Sequence, residues 1–590
     1  MKVFEANITY QVSNYLNESL KSITSFEFAN QKINNLFKII DFFENNKDLE
    51  ALKTIISNTE CTLEEERAEY GDFQTNIGLA NRVASYLVSK SVAPNIIIEP
   101  TCGKGNFIIA SLQNFKEIKT IIGVEIYKPY VWETKFNILN YYLDNPQIHK
   151  PNISITHANV FDFNFKQIAK QYANDDILII GNPPWVTNAK LGSLNSSNLP
   201  KKTNFKNHSG LDAMTGKGNF DIAEYITLMM INTFQTMKGH LVLLIKNSVI
   251  KNIVSEQNKN LNNISVIEKH SIDSKKEFNV SVEASLFYCK LNTTPTFYCD
   301  EFNFYDNIKP HQKFGWLNNK FVSNIDTYLH TKDIDGQCPF IWRQGLKHDC
   351  SYVMELEKLN GHYINGLKEE AFLEDDLVYG LLKSSDLKNT VIHQTRKYTI
   401  VTQKKVGQDT KYIKCQYPKT YQYLTKYQNN FAARKSSIYI GKPLFSIFGI
   451  GDYSFKPFKV AISGLYKTFH FTLIMPQEGK PVMLDDTCYL IGFDTLEYAV
   501  YTLILLNSET AVQFLKSITF SDAKRTFTKD VLMRIDLLAL SKHFNNQTLN
   551  RDLDDLNKMY QFDITLNHWD NFIKEILPVR ESQMLCLFNF

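Results

Sequence analysis

Short, continuously apolar runs alternate with helical stretches between residues 91 and 291, and this alternation constrains the fold more than any other feature of the chain. Helical stretches such as FIIASLQNF (107–115) and AEYITLMMINTFQTM (223–237) separate the runs. Because strands that are apolar on both faces need helices to cover them, the pattern predicts a mostly parallel α/β sheet whose ligands bind at the carboxyl ends of the strands. The seven runs are NIIIEP (95–100), KTIIGVEI (119–126), ISITHANVF (153–161), DDILIIGNPPW (175–185), GHLVLLIKN (239–247), ISVIEKHSI (264–272) and VSVEASLFYCKL (280–291).

The regions on either side of this alternation have different patterns. Apolar residues recur at three- and four-residue steps in residues 33–56, which predicts an N-terminal helical segment over 1–60. We expect the α/β domain to cover 61–325. From 326 to 590 aromatic and basic residues interleave with turn residues, which predicts a separate α+β domain. A chain of 590 residues, 44% of them hydrophobic, also exceeds what one core usually supports.

Cysteine usage and apolar run length indicate the compartment. The nine cysteines include no CxxC pair, so we expect a reducing compartment, no disulfide framework and no metal site. The N-terminus carries Glu5 where a signal peptide needs an apolar core, and the longest apolar runs are too short to span a bilayer. We therefore expect a soluble, cytoplasmic protein without a membrane partner.

The first chemical motif is EPTCGKGNF, residues 99–107, which follows one predicted strand and opens a helix. Two glycines in such a turn let the backbone approach a ligand at the helix N-terminus. The motif is neither GxGxxG nor a P-loop, and the GLDAMTGKG stretch at 210–218 also lacks P-loop spacing, which disfavours ATP hydrolysis. Glu125 ends the next strand about 20 residues later, where an acidic side chain suits a ribose diol.

The most specific motif is Asn182-Pro183-Pro184-Trp185, directly after the strand run DDILIIG. Two prolines cannot continue a strand, so the segment must leave the sheet as a rigid, extended backbone. The Asn182 side-chain oxygen and the Pro183 carbonyl are two acceptors suited to an exocyclic NH2, and Trp185 supplies a flat face for a planar ring.

Together these motifs resemble those of S-adenosylmethionine-dependent DNA methyltransferases that act on exocyclic amines. EPTCGKGNF resembles their cofactor motif, NPPW their catalytic motif, and GDFQTNIG (71–78) the G-x-(Y/F)-x-T-P segment that precedes the cofactor motif, with Asn76 in place of the proline. The order, followed by a long C-terminal part, is that of the gamma group of N6-adenine methyltransferases of type II restriction-modification systems. The resemblance implies a Rossmann-like class I methyltransferase domain and a C-terminal target-recognition domain.

The resemblance also implies roles for individual residues. S-adenosyl-L-methionine would be the cofactor, Asn182, Pro183 and Trp185 would be catalytic, and Phe278 would stack on the target base opposite Trp185. Transfer would be direct and in line, onto a nucleotide extruded from the duplex. The residues implied to contact the cofactor are Phe73, Thr75, Glu99, Cys102, Gly103, Glu125, Ile126, Asn159 or the nearby Asp162, and Asn182.

Basic residues point to double-stranded DNA as the partner. The chain's net charge is only +3, yet residues 396–459 hold 13 basic and two acidic residues interleaved with eight tyrosines. Such a one-sided segment favours contact with phosphates and bases. A polar stretch over 186–219 with five lysines is a second candidate, no better supported than a solvated insert. The predicted DNA contacts are Lys201, Lys202, Arg396, Lys397, Lys404, Lys405, Lys411, Lys414, Arg434 and Lys435.

Several alternatives remain at this stage. NPPW offers acceptors to any exocyclic amine, so N4-cytosine and RNA methylation stay open, as does a modification subunit that needs a partner specificity chain. Cys338-Pro339 is in the wrong order for a C5-cytosine nucleophile. Residues 1–70 contain no PD…ExK nuclease pattern, so we expect a monomeric modification enzyme and a cognate restriction endonuclease encoded separately.

Overall fold

The computed structural model describes residues 2–3, 6–57, 73–186, 221–306, 309–466, 469–520 and 526–577. The chain divides into two compact units, Met1–Phe321 and Val322–Phe590. Within the described residues, no helix has the length and apolarity that crossing a membrane requires.

The first unit combines helices with one large sheet. Its helices are α1 (Tyr10–Leu20), α2 (Phe26–Phe37), α3 (Asn46–Ser57), α4 (Ile77–Ser89), α5 (Asn106–Asn114), α6 (Lys128–Asp144), α7 (Phe165–Gln171), α8 (Ile222–Phe234), α9 (Asn247–Asn260) and α10 (Ser274–Phe278). Its strands are β1 (Lys2–Val3), β2 (Ala6–Asn7), β3 (Ile39–Ile40), β4 (Ile96–Glu99), β5 (Thr120–Glu125), β6 (Asn152–His157), β7 (Ile177–Gly181), β8 (Gly239–Lys246), β9 (Ile264–Ser271), β10 (Ala284–Leu291), β11 (Tyr298–Asn303), β12 (Gln312–Leu317) and β13 (Lys320–Val322), which ends one residue beyond the unit.

The described strands of the large sheet follow the order β13-β12-β11-β9-β10-β8-β7-β4-β5-β6-β3. The five pairings that connect β3 to β8 are all parallel, and β10 is antiparallel to both β8 and β9. Every residue of β4, β5 and β7 is buried. This burial on both faces explains the continuous apolar runs and confirms the predicted, mostly parallel α/β sheet.

The N-terminal segment differs from the continuous helical pattern predicted over 33–56. Lys38 adopts a left-handed conformation with φ 58° and ends α2. The next two residues form β3, which pairs in parallel with β6 and extends the sheet. The prediction of a helix is therefore wrong for Ile39–Ile40, because pairing with the edge of the sheet outweighs local helix propensity.

The second unit contains two sheets, with described strand orders β14-β24-β21-β22-β19 and β17-β16-β15-β20-β18-β23. Their strands are β14 (Arg343–Gln344), β15 (Glu355–Leu359), β16 (His362–Asn365), β17 (Glu370–Ala371), β18 (Val378–Leu382), β19 (Val391–Ile392), β20 (Lys397–Ile400), β21 (Phe458–Ser463), β22 (Thr472–Ile474), β23 (Met483–Leu484) and β24 (Cys488–Phe493). The helices are α11 (Ile325–Thr331), α12 (Ser351–Met354), α13 (Tyr412–Gln416), α14 (Pro418–Lys426), α15 (Gln428–Ala432), α16 (Leu496–Leu506), α17 (Glu509–Ile518), α18 (Lys529–Leu532), α19 (Leu537–Ser541), α20 (Asn546–Tyr560) and α21 (Trp569–Glu575). Short 3-10 turns span Lys332–Ile334, Asp375–Leu377, Ser384–Asp386, Ser437–Tyr439, Asp452–Phe455 and Leu566–His568.

Candidate active site

The predicted cofactor motif forms a tight turn between β4 and α5. Gly103 and Gly105 have φ values of +52° and +76°, a conformation that L side chains rarely adopt. A Cβ atom on Gly103 would lie 2.5 Å from the Gln74 Oε1 atom, and one on Gly105 would lie 2.6 Å from the Thr134 Cγ2 atom. Both glycines therefore adopt a backbone conformation that disfavours a side chain, and at Gly105 the neighbouring Thr134 also leaves no room for one.

The turn is attached to the end of the neighbouring strand through Glu125. One carboxylate oxygen of Glu125 accepts a hydrogen bond from the Gly103 backbone N–H at 2.9 Å, and the other accepts from the Tyr127 N–H at 2.8 Å. These two bonds fix the geometry of the carboxylate. Ile126, the next residue, is 41% exposed at the same edge of the sheet.

Glu99 is the most unusual acid of the site. It is 2% exposed, and its Oε2 atom has no hydrogen-bond partner among the described residues. Burial raises the pKa of the Glu99 carboxyl well above its usual range, and the nearby Glu125 charge raises it further. Burial likewise raises the pKa of the Cys102 thiol, which supports a packing role rather than a nucleophilic one.

The segment before α4, residues 73–76, forms hydrogen bonds with the glycine turn. The Thr75 carbonyl accepts a hydrogen bond from the Asn106 Nδ2 atom at 2.7 Å, whereas the buried Thr75 Oγ1 atom has no partner within the described parts of the chain. Asn76 adopts φ −68°, the value that a proline would impose, and its Oδ1 atom caps α4 by accepting from the Leu79 N–H at 2.8 Å. The substitution of the usual proline thus preserves the backbone and adds a helix cap.

The predicted catalytic motif leaves the sheet directly after β7. The Asn182 Nδ2 atom donates to the Phe73 carbonyl at 2.7 Å. This contact orients the amide, and the Asn182 Oδ1 atom is buried without a hydrogen-bond partner among the described residues. Among the described residues, the oriented amide therefore has an acceptor without a donor.

Three aromatic rings line the same region. The Trp185 Nε1 atom donates to the Leu244 carbonyl at 3.0 Å, which fixes the indole. The Trp185 ring lies 5.5 Å from the Phe73 ring and 5.0 Å from the Phe278 ring, centroid to centroid. The structure thus brings Phe278 to the catalytic motif from a position almost 100 residues later, at the end of a helix rather than the start of a strand.

Asn159 and Asp162 lie on the loop that follows β6, the strand next to β5. The Asn159 Oδ1 atom accepts from the Phe161 N–H at 3.0 Å, so the side chain closes a local turn. Asp162 is exposed. The described residues include no group of three or more His, Cys, Asp or Glu side chains that could hold a metal ion.

The predicted DNA-contacting residues are not equivalent in the second unit. Lys404, Lys405, Lys411, Lys414 and Lys435 are exposed, and Lys411 also pairs with Asp409 at 3.9 Å. Arg396 is exposed but pairs with Asp386, and the half-buried Lys397 pairs with Glu355. Arg434 is half-buried, and its guanidinium donates to the carbonyls of Phe431, His348, Ser446 and Leu444. Lys201 and Lys202 lie outside the described residues.

Most tyrosines of the basic segment also serve the core. Tyr423 and Tyr427 are each 6% exposed, and the Asn365 Nδ2 atom donates to both hydroxyl groups at 3.1 Å. Four more, at positions 398, 412, 417 and 421, pack against the same hydrophobic cluster. Tyr423 and Tyr427 are therefore part of the core of the second unit, and the other four tyrosines are partly buried against it.

Sequence reasoning assigned no role to several residues that build the site. Gln74, Asn106 and Thr134 fix the glycine turn through the Lys104 N–H, the Thr75 carbonyl and the Gly103 carbonyl. Glu277 joins α10 to the segment before α4. Asn106 belongs to the glycine motif and could have been found there, whereas no pattern in the sequence pointed to Thr134 or Glu277.

Comparisons with known proteins extend this description. No family model matches the chain. The structure is similar to that of the type IIL restriction-modification enzyme MmeI in complex with DNA, with 12% identity, a TM-score of 0.51, and coverage of 98% of this chain and 92% of MmeI. A putative class I S-adenosylmethionine-dependent methyltransferase from Listeria monocytogenes aligns with 12% identity and a TM-score of 0.30 over 50% of this chain and 84% of its own.

The sheet order, the reversed β10 and the glycine turn at the end of β4 define a Rossmann-like class I methyltransferase fold. The chain is also 40% identical over 484 residues to the type II methyltransferase M.NspV from Nostoc sp., covering 81% of this chain and 98% of the relative. The protein therefore belongs to the type II methyltransferase family.

Proposed function

We propose that this type II methyltransferase transfers a methyl group from S-adenosyl-L-methionine to N6 of an adenine within a specific DNA sequence, as a gamma-group modification enzyme. The observation that carries the proposal is the fixed amide of Asn182. Its nitrogen donates to the Phe73 carbonyl, which fixes the orientation of the amide. Its buried oxygen accepts no hydrogen bond from the described residues and is therefore available to a donor from a ligand. An exocyclic NH2 is such a donor.

The residues at the glycine turn fit the proposed cofactor. Two buried acceptors, Glu99 Oε2 and Thr75 Oγ1, lack partners among the described residues, and a Cβ on Gly103 would intrude on the neighbouring Gln74. A buried carboxyl with a raised pKa regains its charge when a cation binds beside it, which suits a ligand with an ammonium and a sulfonium group. When bound, S-adenosylmethionine supplies an electrophilic methyl group. Glu125 would hold the ribose, with Ile126 against the adenine ring and Asn159 or Asp162 near its amine.

The residues of the catalytic motif would hold the target base. The Asn182 Oδ1 atom and the Pro183 carbonyl would accept the two hydrogens of N6 and direct its lone pair toward the methyl group. A base sandwiched between Trp185 and Phe278 needs ring centroids about 7 Å apart, twice a contact of about 3.5 Å. The two rings meet edge to face, with centroids 5.0 Å apart and an interplanar angle of 70°, so Phe278 must both turn and move outward when an extruded adenine enters.

Two further observations support DNA as the substrate. The relative M.NspV is a type II methyltransferase, and MmeI was solved in complex with DNA. Five exposed lysines of the second unit, at positions 404, 405, 411, 414 and 435, can neutralise phosphates. We further propose that the chain acts as a monomer in the cytoplasm and that a separately encoded endonuclease performs cleavage.

The proposal is tested by incubating the purified chain with tritiated S-adenosylmethionine and unmethylated bacterial DNA, followed by digestion to nucleosides. We expect the label in N6-methyldeoxyadenosine. Label in N4-methyldeoxycytidine would show that the target base is cytosine and not adenine. Label that appears only when RNA is supplied would show that the substrate is RNA and not DNA. Long-read sequencing of a methylase-free host that expresses the chain then maps the modified position.

A further inference from the structure

A buried carboxylate connects the two halves of the proposed active site. Glu277 lies directly before Phe278 in α10, and its side chain is 4% exposed. Its Oε2 atom accepts from the Asn76 Nδ2 atom at 3.1 Å. Its Oε1 atom accepts from the Arg82 Nη2 atom at 2.7 Å and from the Tyr305 hydroxyl at 2.9 Å. Three donors therefore fix the residue that precedes the proposed base-stacking ring.

Asn76 occupies the other end of this connection. Its Oδ1 atom caps α4, and its Nδ2 atom donates to Glu277, so both the oxygen and the nitrogen of the amide are engaged. The preceding residue is Thr75, whose buried Oγ1 atom is one of the proposed cofactor contacts. Thr75 is the residue before Asn76, and Phe278 is the residue after Glu277. The hydrogen bond between Asn76 and Glu277 therefore joins the direct neighbours of the two proposed contact residues.

The same segment also contacts the catalytic motif. Phe73 holds the Asn182 amide through its carbonyl, and its ring packs on Trp185, which in turn packs on Phe278. The segment 73–76, the catalytic motif and α10 therefore form a closed ring of contacts.

We propose that Glu277 is a positioning residue that couples cofactor binding to target-base binding through Asn76. The proposal rests on the proposed function, because it takes Thr75 as a cofactor contact and Phe278 as a base contact. Entry of the base moves Phe278 and its neighbour Glu277, and the Asn76 amide passes this movement to Thr75. By linkage, each ligand then changes the affinity for the other by the same factor.

The polarity of the Asn76–Glu277 hydrogen bond allows it to be broken and rebuilt. In E277Q the carboxamide can still accept from Arg82 and Tyr305, but its NH2 group then faces the NH2 group of Asn76. In N76D two carboxylates face each other, although aspartate caps a helix as well as asparagine and adds a favourable charge at the N-terminus of α4. In the double variant N76D/E277Q, the carboxamide introduced at position 277 can donate to the carboxylate introduced at position 76, and the hydrogen bond is restored with reversed polarity.

The measurement is the dissociation constant of S-adenosylhomocysteine, which prevents turnover, with and without a duplex that carries the mapped site. In the wild-type chain we expect DNA to tighten cofactor binding by about fivefold or more. The factor should fall below about twofold in N76D and in E277Q and return to at least half of the wild-type value in N76D/E277Q. N81D is the matched control: it adds the same charge to α4 and keeps its acceptor for the Asn114 Nδ2 atom, so it should retain the coupling.

The outcomes separate this inference from the proposed function. A wild-type chain that methylates DNA but shows no coupling overturns the role of Glu277 alone. The same conclusion follows if either single variant keeps the coupling or if the double variant does not regain it. If E277Q fails to fold, N76D and N76D/E277Q decide the question. A wild-type chain that methylates no DNA overturns both proposals.

Discussion

The glycine turn of the first unit and the basic segment of the second unit relate sequence to structure in opposite ways. The site residues are scattered from Phe73 to Phe278, yet the structure brings them to one edge of a sheet. The basic residues lie within one segment of the sequence, yet the structure gives them different environments: Lys404 is exposed, Arg434 donates to backbone carbonyls and Lys459 is 1% exposed. Proximity in sequence therefore says little about shared function, whereas position at a strand end says much.

The physical reason lies in the backbone. A parallel sheet delivers all its strand ends to one edge, so residues just after the strands are placed together by topology. A charge run has no such rule, because the exposure of each charge depends on which neighbours it packs against.

The largest expected effect tests the convergent site. N182A should lower the rate of methyl transfer by about 10³-fold or more, because it removes an acceptor aimed at the reacting amine. The dissociation constant for S-adenosylmethionine should change by less than about threefold. Single-turnover rates and equilibrium titration measure the two quantities, and N258A, on the exposed face of α9, is the control. A fully active N182A chain would refute the catalytic role.

The second prediction tests which basic residues face DNA. Replacing Lys404, Lys405, Lys411 and Lys414 with glutamine should weaken DNA binding by about 10²-fold at moderate salt and reduce the slope of log K against log salt by up to about 3.6. Fluorescence anisotropy at several salt concentrations measures both. The control replaces four exposed lysines of the first unit, Lys116, Lys166, Lys170 and Lys259, with the same change in charge. Equal losses of DNA affinity in the two variants would contradict a specific role in DNA binding for the lysines of the second unit.

The third prediction contrasts two adjacent basic residues. R434A should lower the free energy of unfolding by about 2 kcal/mol or more, since its guanidinium satisfies four carbonyls and lies 3.7 Å from the Tyr439 ring centroid. K435A should leave the stability unchanged and weaken DNA binding a few-fold. Thermal melts and anisotropy distinguish them, and an unchanged melting temperature in R434A would contradict the structural role.

The smallest effect concerns Lys459, whose pKa burial lowers from 10.5 to about 7. Between these values the unfolded chain binds a proton that the folded chain lacks, so stability rises with pH across this window and the burial cost is greatest at and below pH 7. K459M should therefore raise the melting temperature by a few degrees at pH 7, with a smaller gain at pH 10. The control is K442M at an exposed position. A gain that does not depend on pH would contradict the linkage.

Much of the fold and part of the site could be predicted from the sequence. The buried strands β4, β5 and β7 are visible as apolar runs, and the motifs that follow them identify Gly103, Glu125 and Asn182. The strand Ile39–Ile40 was hidden within a helical pattern, because only the edge of the sheet beside β6 makes it a strand. Glu277 was not identifiable from the sequence because its partners Asn76 and Arg82 are about 200 residues away.

The sequence by itself determined the residue types that the chemistry requires and the strand ends that carry them, since glycine turns, strand-breaking prolines and strand-terminal acids depend on local backbone geometry. Only the tertiary structure decided which buried acceptors lack a donor among the described residues, which tyrosines belong to the core and which charges are exposed. Those properties depend on partners elsewhere in the chain. The Phe73 carbonyl accepts from the Asn182 nitrogen and so orients the amide, and the carbonyls of His348 and Ser446 accept from the Arg434 guanidinium. Hydrogen bonding and burial are satisfied in three dimensions, so no local pattern can specify them.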